Sequence, residues 1–453
     1  MGILKLILVP VAVGVFIATV WNLIPEKEVT LEENNFYGSG KVRPDNTEIK
    51  PFKVSVDEKV IDDLKHRLQN SRISHSVLED SDDFYYGFNS KQLLKLRDYW
   101  LNKYDWRKQE AILNQFPQFT TEIEGLQVHF LRVQPPKTYK IVKPILVAHG
   151  WPGNVFEFYK FIPLLTDPKK HGINSDFAFE VIAPSIPGYG WSEQPKKTGF
   201  SQLACARVFR KLMLRLGYSK FYLQGGDWGA IITSLLTKVY PDNVIALHMN
   251  MIPAMPGASF MGTFYDFLGW LVPSTLSSKE LQKNHNPFAK FGNLIVETGY
   301  MHIQATKPDT AGTSLNDSPI GLAAYIIEKF STWTNLEYRA LPDGGLNKKF
   351  TNDELLTIVM IYWTNGNIVS CKDSTENSSS IDDVKHLLSK RYVAVPTAHA
   401  SGLNELYDRC PIEVSRYLYN ITHYTEIDMG HFAAFEAPKP LATSVFKFVK
   451  DLE

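Results

Sequence analysis

Two patterns of hydrophobic and polar residues divide the chain. Over residues 54–116 the apolar residues return every three or four positions, which predicts amphipathic helices, as at Val60, Leu64 and Leu68. From about Gln127 the apolar residues form short runs bounded by Gly and Pro, which is typical of strands. These runs are QVHFLRV, PILVA, FEVIA, KFYLQ and VIALHM.

Helical stretches separate these runs. One is marked by apolar residues on a single helix face at Leu203, Val208, Leu212 and Leu216. Strands that alternate with helices predict a mostly parallel sheet covered on both faces, and hence an α/β fold. The alternation lapses after Pro253 and resumes at RYVAVPT and YTEI. We therefore expect one α/β core interrupted by an inserted cap.

The N-terminus carries the longest apolar run of the chain. Residues 6–21 contain no charged residue, and Leu23 and Ile24 extend the run. About 20 helical residues cross a bilayer core of about 30 Å, so we predict a single transmembrane anchor that contacts lipid through residues 3–24. A cleaved signal peptide and a buried core helix are the alternatives. Lys5 before the run and the glutamates after it weakly favour a cytosolic N-terminus.

Charge and cysteine content narrow the chemistry. The chain has 48 basic and 48 acidic residues, so its formal net charge of zero offers no general attraction for nucleic acid. Its three cysteines show neither metal-binding spacing nor a disulfide framework. We expect small-molecule chemistry without a metal, a cofactor or a nucleic-acid partner.

The sharpest local motif is FYLQGGDWGAIITSLL, in which an apolar strand meets a helix at Asp227. Small residues on both sides of a nucleophile permit the cramped turn of a nucleophile elbow. An aspartate at a helix start can also act as an N-cap. The flanking glycines favour the elbow, and we predict that the Asp227 carboxylate is the nucleophile.

A second motif, HGWPG at residues 149–153, follows the PILVA run. In a parallel sheet it would lie at the carboxyl edge beside the elbow. We predict an oxyanion hole formed by the backbone N–H groups of Trp151 and Trp228, although a simple Pro/Gly turn would leave the same pattern.

An ester on Asp227 needs a base for its hydrolysis. His431 follows the YTEI strand, and Glu405 follows the RYVAVPT strand as the acid that would orient it. Their rivals are His423, which lies within an alternating strand, and Asp408. The chain order of nucleophile, acid and histidine matches that of α/β-hydrolases.

These segments together resemble the microsomal epoxide hydrolases, including the juvenile-hormone epoxide hydrolases. The resemblance runs from about Pro51 to the C-terminus and rests on HGWPG, PSIPGYGWS, GGDWG, ETGYMHIQATKPDT and GHFAAFE. It implies an α/β-hydrolase core in which Asp227 is the nucleophile and Glu405 and His431 form the charge-relay pair. It also implies that Tyr300 is a cap tyrosine that hydrogen-bonds the epoxide oxygen.

The patterns and the resemblance together give a domain plan. A membrane anchor and a linker precede an N-terminal helical segment, and the cap then divides the α/β core into two parts. The boundaries are 1–25 for the anchor, 26–50 for the linker, 51–120 for the helical segment, 121–254 and 389–453 for the core, and 255–388 for the cap.

One departure from the family pattern concerns a second cap tyrosine. The family usually supplies it just after the run that spans Tyr362 to Ile368 here, but SCKDSTENSSS follows with no aromatic residue. Another donor could substitute, Tyr300 could act alone, or the activity could be low or lost.

The resulting expectation is hydrolysis of lipophilic epoxides to vicinal diols at the endoplasmic reticulum membrane, with the catalytic domain facing the cytosol. An aspartate at the elbow argues against a serine esterase. A haloalkane-dehalogenase-like hydrolase and a membrane-tethered binding protein of the same fold are the alternatives. Foreign compounds, fatty-acid epoxides and terpenoid hormones remain open as substrates.

Overall fold

A computed structural model describes residues 33–73, 78–253, 260–368, 387, 391–406 and 410–453. The predicted anchor, Asp408 and the serine-rich stretch after Ile368 lie outside these residues. Within them, no helix combines the length and apolar character needed to cross a membrane.

A nine-stranded sheet forms the centre of the protein, with the order β1-β2-β3-β5-β4-β6-β7-β8-β9. The strands are β1 Lys50–Phe52, β2 Gln118–Ile123, β3 Leu126–Val133, β4 Ile141–Ala148, β5 Phe177–Pro184, β6 Phe221–Gly225, β7 Val244–Met249, β8 Val393–Gly402 and β9 Tyr419–Ile427.

Strands β4 to β9 run parallel, while β1, β2 and β3 form an antiparallel edge that joins the sheet at β5. All eight residues of β5 are buried. Parallel strands are covered on both faces, so continuous apolar runs mark them in the sequence. The mostly parallel sheet expected from those runs is confirmed.

Sixteen helices are described. They are α1 Glu58–Gln69, α2 Ser90–Asn102, α3 Trp106–Leu113, α4 Ile162–Thr166, α5 Gln202–Arg215, α6 Trp228–Val239, α7 Phe260–Leu271, α8 Lys279–Asn284, α9 Pro287–Glu297, α10 Gly299–Thr306, α11 Pro308–Asp317, α12 Pro319–Thr332, α13 Asn352–Asn365, α14 Ile412–Ser415, α15 Ala433–Glu436 and α16 Pro438–Asp451.

Helices α7 to α13 form an insert between β7 and β8, at the edge of the sheet where the parallel strands end. The N-terminal helices pack against this insert. The Tyr99 hydroxyl of α2 donates to Asp353 of α13 at 2.9 Å, and the Tyr104 and Thr357 hydroxyls lie 3.1 Å apart. The early helical segment therefore supports the insert as well as the core.

The first residues of the described chain lie at that same edge. The backbone N–H of Tyr37 donates to the carbonyl of Glu124, in the turn between β2 and β3, at 2.8 Å. Since β3 runs antiparallel to β5, this turn lies beyond the carboxyl end of β5. The described chain thus begins on the side of the fold that carries the insert.

Candidate active site

Asp227 lies in a tight turn between β6 and α6. Its φ of 50° is in the left-handed region, which disfavours residues with a Cβ by about 1–2 kcal/mol. The turn is close to the neighbouring strand, because a Cβ added to Gly229 would lie 2.0 Å from the carbonyl oxygen of Ala148. The Asp227 side chain makes no N-cap hydrogen bond, so helix capping does not account for it.

The HGWPG loop lies directly against this carboxylate. The backbone N–H of Trp151 donates to Asp227 Oδ1 at 2.7 Å. A Cβ added to Gly150 would lie 2.1 Å from the same oxygen, so only glycine leaves room for the carboxylate there. Trp228 is the first residue of α6, and helix geometry leaves its N–H without an intrahelical acceptor.

His149 holds this loop in place. Its Nε2 accepts a hydrogen bond from the Ile186 N–H at 3.1 Å, which leaves Nδ1 to donate to the Gly150 carbonyl at 3.0 Å. Burial lowers the pKa of His149 to about 4, so the ring is neutral at neutral pH. The first residue of the motif therefore acts on the loop conformation.

His431 connects two carboxylates. Its Nε2 lies 3.2 Å from Asp227 Oδ2, and its Nδ1 lies 3.0 and 3.1 Å from the two oxygens of Glu405. The side chains of His431 and Glu405 are 2% and 1% exposed, so solvent screens their interaction little. The structure thus brings together the three residues that the sequence pattern singled out.

The charges around His431 outweigh its burial. Burial alone would lower its pKa, but Glu405 and Asp227 raise the pKa well above its ordinary value. The ring is therefore held as a cation between the two carboxylates.

Tyr300 reaches the site from the insert. Its ring, on α10, stacks on the indole of Trp151 at a centroid distance of 4.3 Å and an interplanar angle of 9°. Trp333, at the end of α12, contacts the rings of both Tyr300 and His431. The backbone carbonyl of Trp333 also accepts a hydrogen bond from the backbone N–H of His431, at 2.9 Å. Core and insert thus meet at the predicted site.

The other candidates lie elsewhere. His423 is in β9, where its Nδ1 lies 3.5 Å from Asp451. The Tyr362 hydroxyl donates to the Gly153 carbonyl at 2.7 Å. Among the described residues, no group of His, Cys, Asp and Glu side chains could hold a metal ion.

Comparison with known proteins agrees with this geometry. Residues 49–158 match the family model "Epoxide hydrolase N terminus", and residues 143–406 match "alpha/beta hydrolase fold". Epoxide hydrolase 1 of Sus scrofa is 47% identical over 444 residues, 96% of each chain. The juvenile hormone epoxide hydrolase of Bombyx mori is 41% identical over 94% of this chain and 91% of that protein.

The chain belongs to the epoxide hydrolase family. A crystal structure of the juvenile hormone epoxide hydrolase from the silkworm Bombyx mori agrees, with a TM-score of 0.85, 40% identity and coverage of 93% of this chain and 99% of that one. The family resemblance, the hydrolase class and the α/β-hydrolase fold expected from the sequence are confirmed.

Two acidic residues of this epoxide hydrolase were missed by the sequence analysis. Glu436 accepts the backbone N–H groups of Gly430 and Phe432, on either side of His431, at 2.7 and 2.8 Å. Glu157 lies beside Asp227 and His431. Burial raises the pKa of Glu157 to about 8 and that of Glu436 to about 7. The available signal was an acidic residue in each of the apolar runs VFEFY and FAAFE.

The close approach at Gly150 gives the first prediction. Gly150→Ala should displace the Asp227 carboxylate from the Trp151 N–H and abolish covalent capture of an epoxide, because the added Cβ would overlap Oδ1. Intact-mass analysis after mixing with styrene oxide would measure the adduct. Gly292→Ala is the control, since a Cβ added there meets no atom within 4 Å. Normal adduct formation by Gly150→Ala would contradict the arrangement.

Proposed function

We propose that this epoxide hydrolase converts lipophilic epoxides to vicinal diols in two steps through an ester on Asp227. The observation that carries the proposal is the buried relay from Asp227 through His431 to Glu405, with Asp227 Oδ1 also bound by the Trp151 N–H. The relay supplies a nucleophile, a base and an acid that orients the base.

In the first step an Asp227 oxygen attacks a ring carbon and the carbon–oxygen bond of the epoxide breaks. The electron pair of that bond passes to the epoxide oxygen, which needs a proton or a hydrogen-bond donor. Tyr300 is the proposed donor. The stacking of its ring on Trp151, whose N–H binds the nucleophile, supports this role.

In the second step His431 takes a proton from water, and the water oxygen attacks the Asp227 ester carbon. The N–H groups of Trp151 and Trp228 are the proposed donors to the resulting oxyanion. Collapse of the tetrahedral intermediate breaks the ester bond, and the departing alkoxide takes the proton from His431. The second proton of the water then passes from the Asp227 carboxyl to His431, so the products are the diol and an enzyme with the Asp227 carboxylate and the protonated His431 restored.

The electrostatics suit this order of events. Before the attack, the two carboxylates keep the His431 pKa high and the ring protonated. Ester formation removes the charge of Asp227, which lowers the His431 pKa, so the ring can give its proton to the alkoxide formed from the epoxide oxygen. The base would therefore become available once its ester substrate exists.

A haloalkane-dehalogenase-like reaction would use the same nucleophile. A halide leaves without a proton, however, so that reaction gives no role to a tyrosine above the nucleophile. The Tyr300 ring stacked at 4.3 Å over Trp151 favours the epoxide.

The relay predicts that the two steps can be separated. His431→Gln should still be alkylated but should accumulate the ester, because no base activates water. Asp227→Ala should form neither ester nor diol. Intact-mass analysis and diol chromatography with styrene oxide would measure both. Diol formation by His431→Gln at the parent rate would remove His431 from the mechanism.

The tyrosine assignment is tested in the alkylation step alone. Tyr300→Phe should slow single-turnover ester formation by about 10²- to 10³-fold, as expected for loss of an electrostatic donor. Tyr325→Phe is the comparison, because its ring also contacts Trp151, edge-on at 5.9 Å. If Tyr300→Phe formed the ester at the parent rate and Tyr325→Phe formed it slowly, Tyr325 would be the donor instead.

Attachment to the endoplasmic reticulum membrane, with the catalytic domain in the cytosol, is also part of the proposal. The uncharged run at residues 6–21 supports it. A second support is an exposed apolar face on the insert. Its members are Phe264, Phe267 and Trp270 on α7 and Phe288, Phe291 and Ile295 on α9, which are 37–61% exposed. Such faces with aromatic residues are typical of contact with a lipid interface.

The two halves of this face are continuous. The Phe288 ring packs edge-on against Phe267 at 5.7 Å and Trp270 at 5.2 Å. The described chain also begins at the sheet edge that carries the insert. The cap aromatics Phe264, Phe267 and Trp270 are therefore exposed at the surface.

The membrane proposal predicts two separable attachments. Deletion of residues 1–25 should leave a folded enzyme that carbonate extracts from membranes but that still floats with phosphatidylcholine vesicles at neutral pH. Phe288→Gln with Phe291→Gln should reduce this flotation, whereas Tyr86→Gln, at an exposed tyrosine outside the insert, should not. A truncated form that resists carbonate like the intact chain would show that the N-terminal run is not the anchor.

A further inference from the structure

A small cavity is lined by both the proposed nucleophile and the proposed base. It provides about 20 Å³ for the centre of a water-sized sphere, and its walls include Asp227, His431, Glu157, Gln224 and Asn250. A polar cavity needs roughly 10–15 Å³ by this measure to hold one water molecule. Its size therefore suits one water.

Glu157 is built into the wall of this cavity. It belongs to a short 3-10 turn, Val155–Phe158, directly after the HGWPG loop, and is 9% exposed. One of its carboxyl oxygens lies 1.2 Å from the position that a Cβ on Gly153 would occupy, so the carboxyl fills the space that glycine leaves. The backbone N–H of Asn154 also donates to the carboxyl.

Gln224 adds a second polar group to the same wall. Its side-chain N–H donates to Asn250 Oδ1 at 2.9 Å, which fixes the orientation of the amide. Its Oε1 is buried and has no hydrogen-bond partner among the described residues. A buried carbonyl oxygen without a donor is costly, and a water in the cavity is a donor of suitable size.

We propose that this cavity binds the water that hydrolyses the Asp227 ester, and that Glu157 is the positioning residue that holds this water against His431. The assignment deepens the two-step mechanism proposed above and rests on it. One water proton faces His431 Nε2, and the other donates to the acceptors on the wall. The water oxygen is thereby left facing the ester carbon of Asp227.

The protonation of Glu157 suits this role. Burial raises its pKa to about 8, so the carboxyl is mostly neutral at pH 7. A neutral carboxyl accepts a hydrogen bond from water without competing with His431 for the proton. The ionisable groups around it are His431, Asp227 and Glu436. Above pH 8 its negative charge would oppose the oxyanion that forms on the ester.

Single-turnover kinetics with styrene oxide would test the proposal, with ester formation and ester hydrolysis measured separately on each variant. Glu157→Leu should form the ester within about threefold of the parent rate but hydrolyse it at least tenfold more slowly, since misplacement of a reactant by about 1 Å can cost about 10²-fold. Glu157→Gln keeps a neutral acceptor and should hydrolyse the ester at nearly the parent rate at pH 7.

The pH profile separates positioning from a structural role. Parent hydrolysis should slow as the pH rises through about 8, the pKa of Glu157, whereas Glu157→Gln should lack this step. Ester hydrolysis by Glu157→Leu at the parent rate would overturn the proposal. So would equal losses of rate in ester formation and ester hydrolysis together with a lowered melting temperature. If the parent itself forms no ester, the failure lies in the two-step mechanism.

Discussion

The turn at Asp227 is the constraint on which the rest of the site depends. A residue with a Cβ occupies a left-handed conformation there, with φ of 50°, so surrounding contacts must stabilise it. At Gly229 the backbone lies close to the backbone of Ala148, and at Gly150 it lies close to the Asp227 carboxylate. Both glycines bring β4 and its following loop against Asp227. The Trp151 N–H thereby reaches Oδ1.

A dense set of acidic groups around His431 is the second feature. Asp227 and Glu405 contact its two ring nitrogens, while Glu436 binds the backbone N–H groups on either side. Four buried or partly buried carboxyls, including Glu157, cannot all be charged at low cost. Burial therefore raises the pKa values of Glu157 and Glu436, and the histidine cation balances the others.

The insert contacts the candidate active site as well as covering the core. Tyr300 of α10 stacks on Trp151, and Trp333 at the end of α12 packs on His431 while its carbonyl accepts the His431 N–H. Movement of the insert would shift the Tyr300 ring above Trp151 and the loop that carries His431 together. The N-terminal helices limit such movement by hydrogen bonding to α13 through Tyr99 and Tyr104.

The sequence by itself determined the α/β core and the residues Asp227, Glu405 and His431, because buried parallel strands leave continuous apolar runs and the chemistry follows their ends. It did not indicate β2, whose residues QFTTEI alternate irregularly in an antiparallel edge. Only the tertiary structure revealed the contacts of His149 and Glu436 and the position of Glu157 beside Asp227 and His431. The groups that they contact are distant in the chain or are backbone N–H groups, which a sequence pattern does not display. Burial, which shifts their pKa values, arises only when the layers pack together.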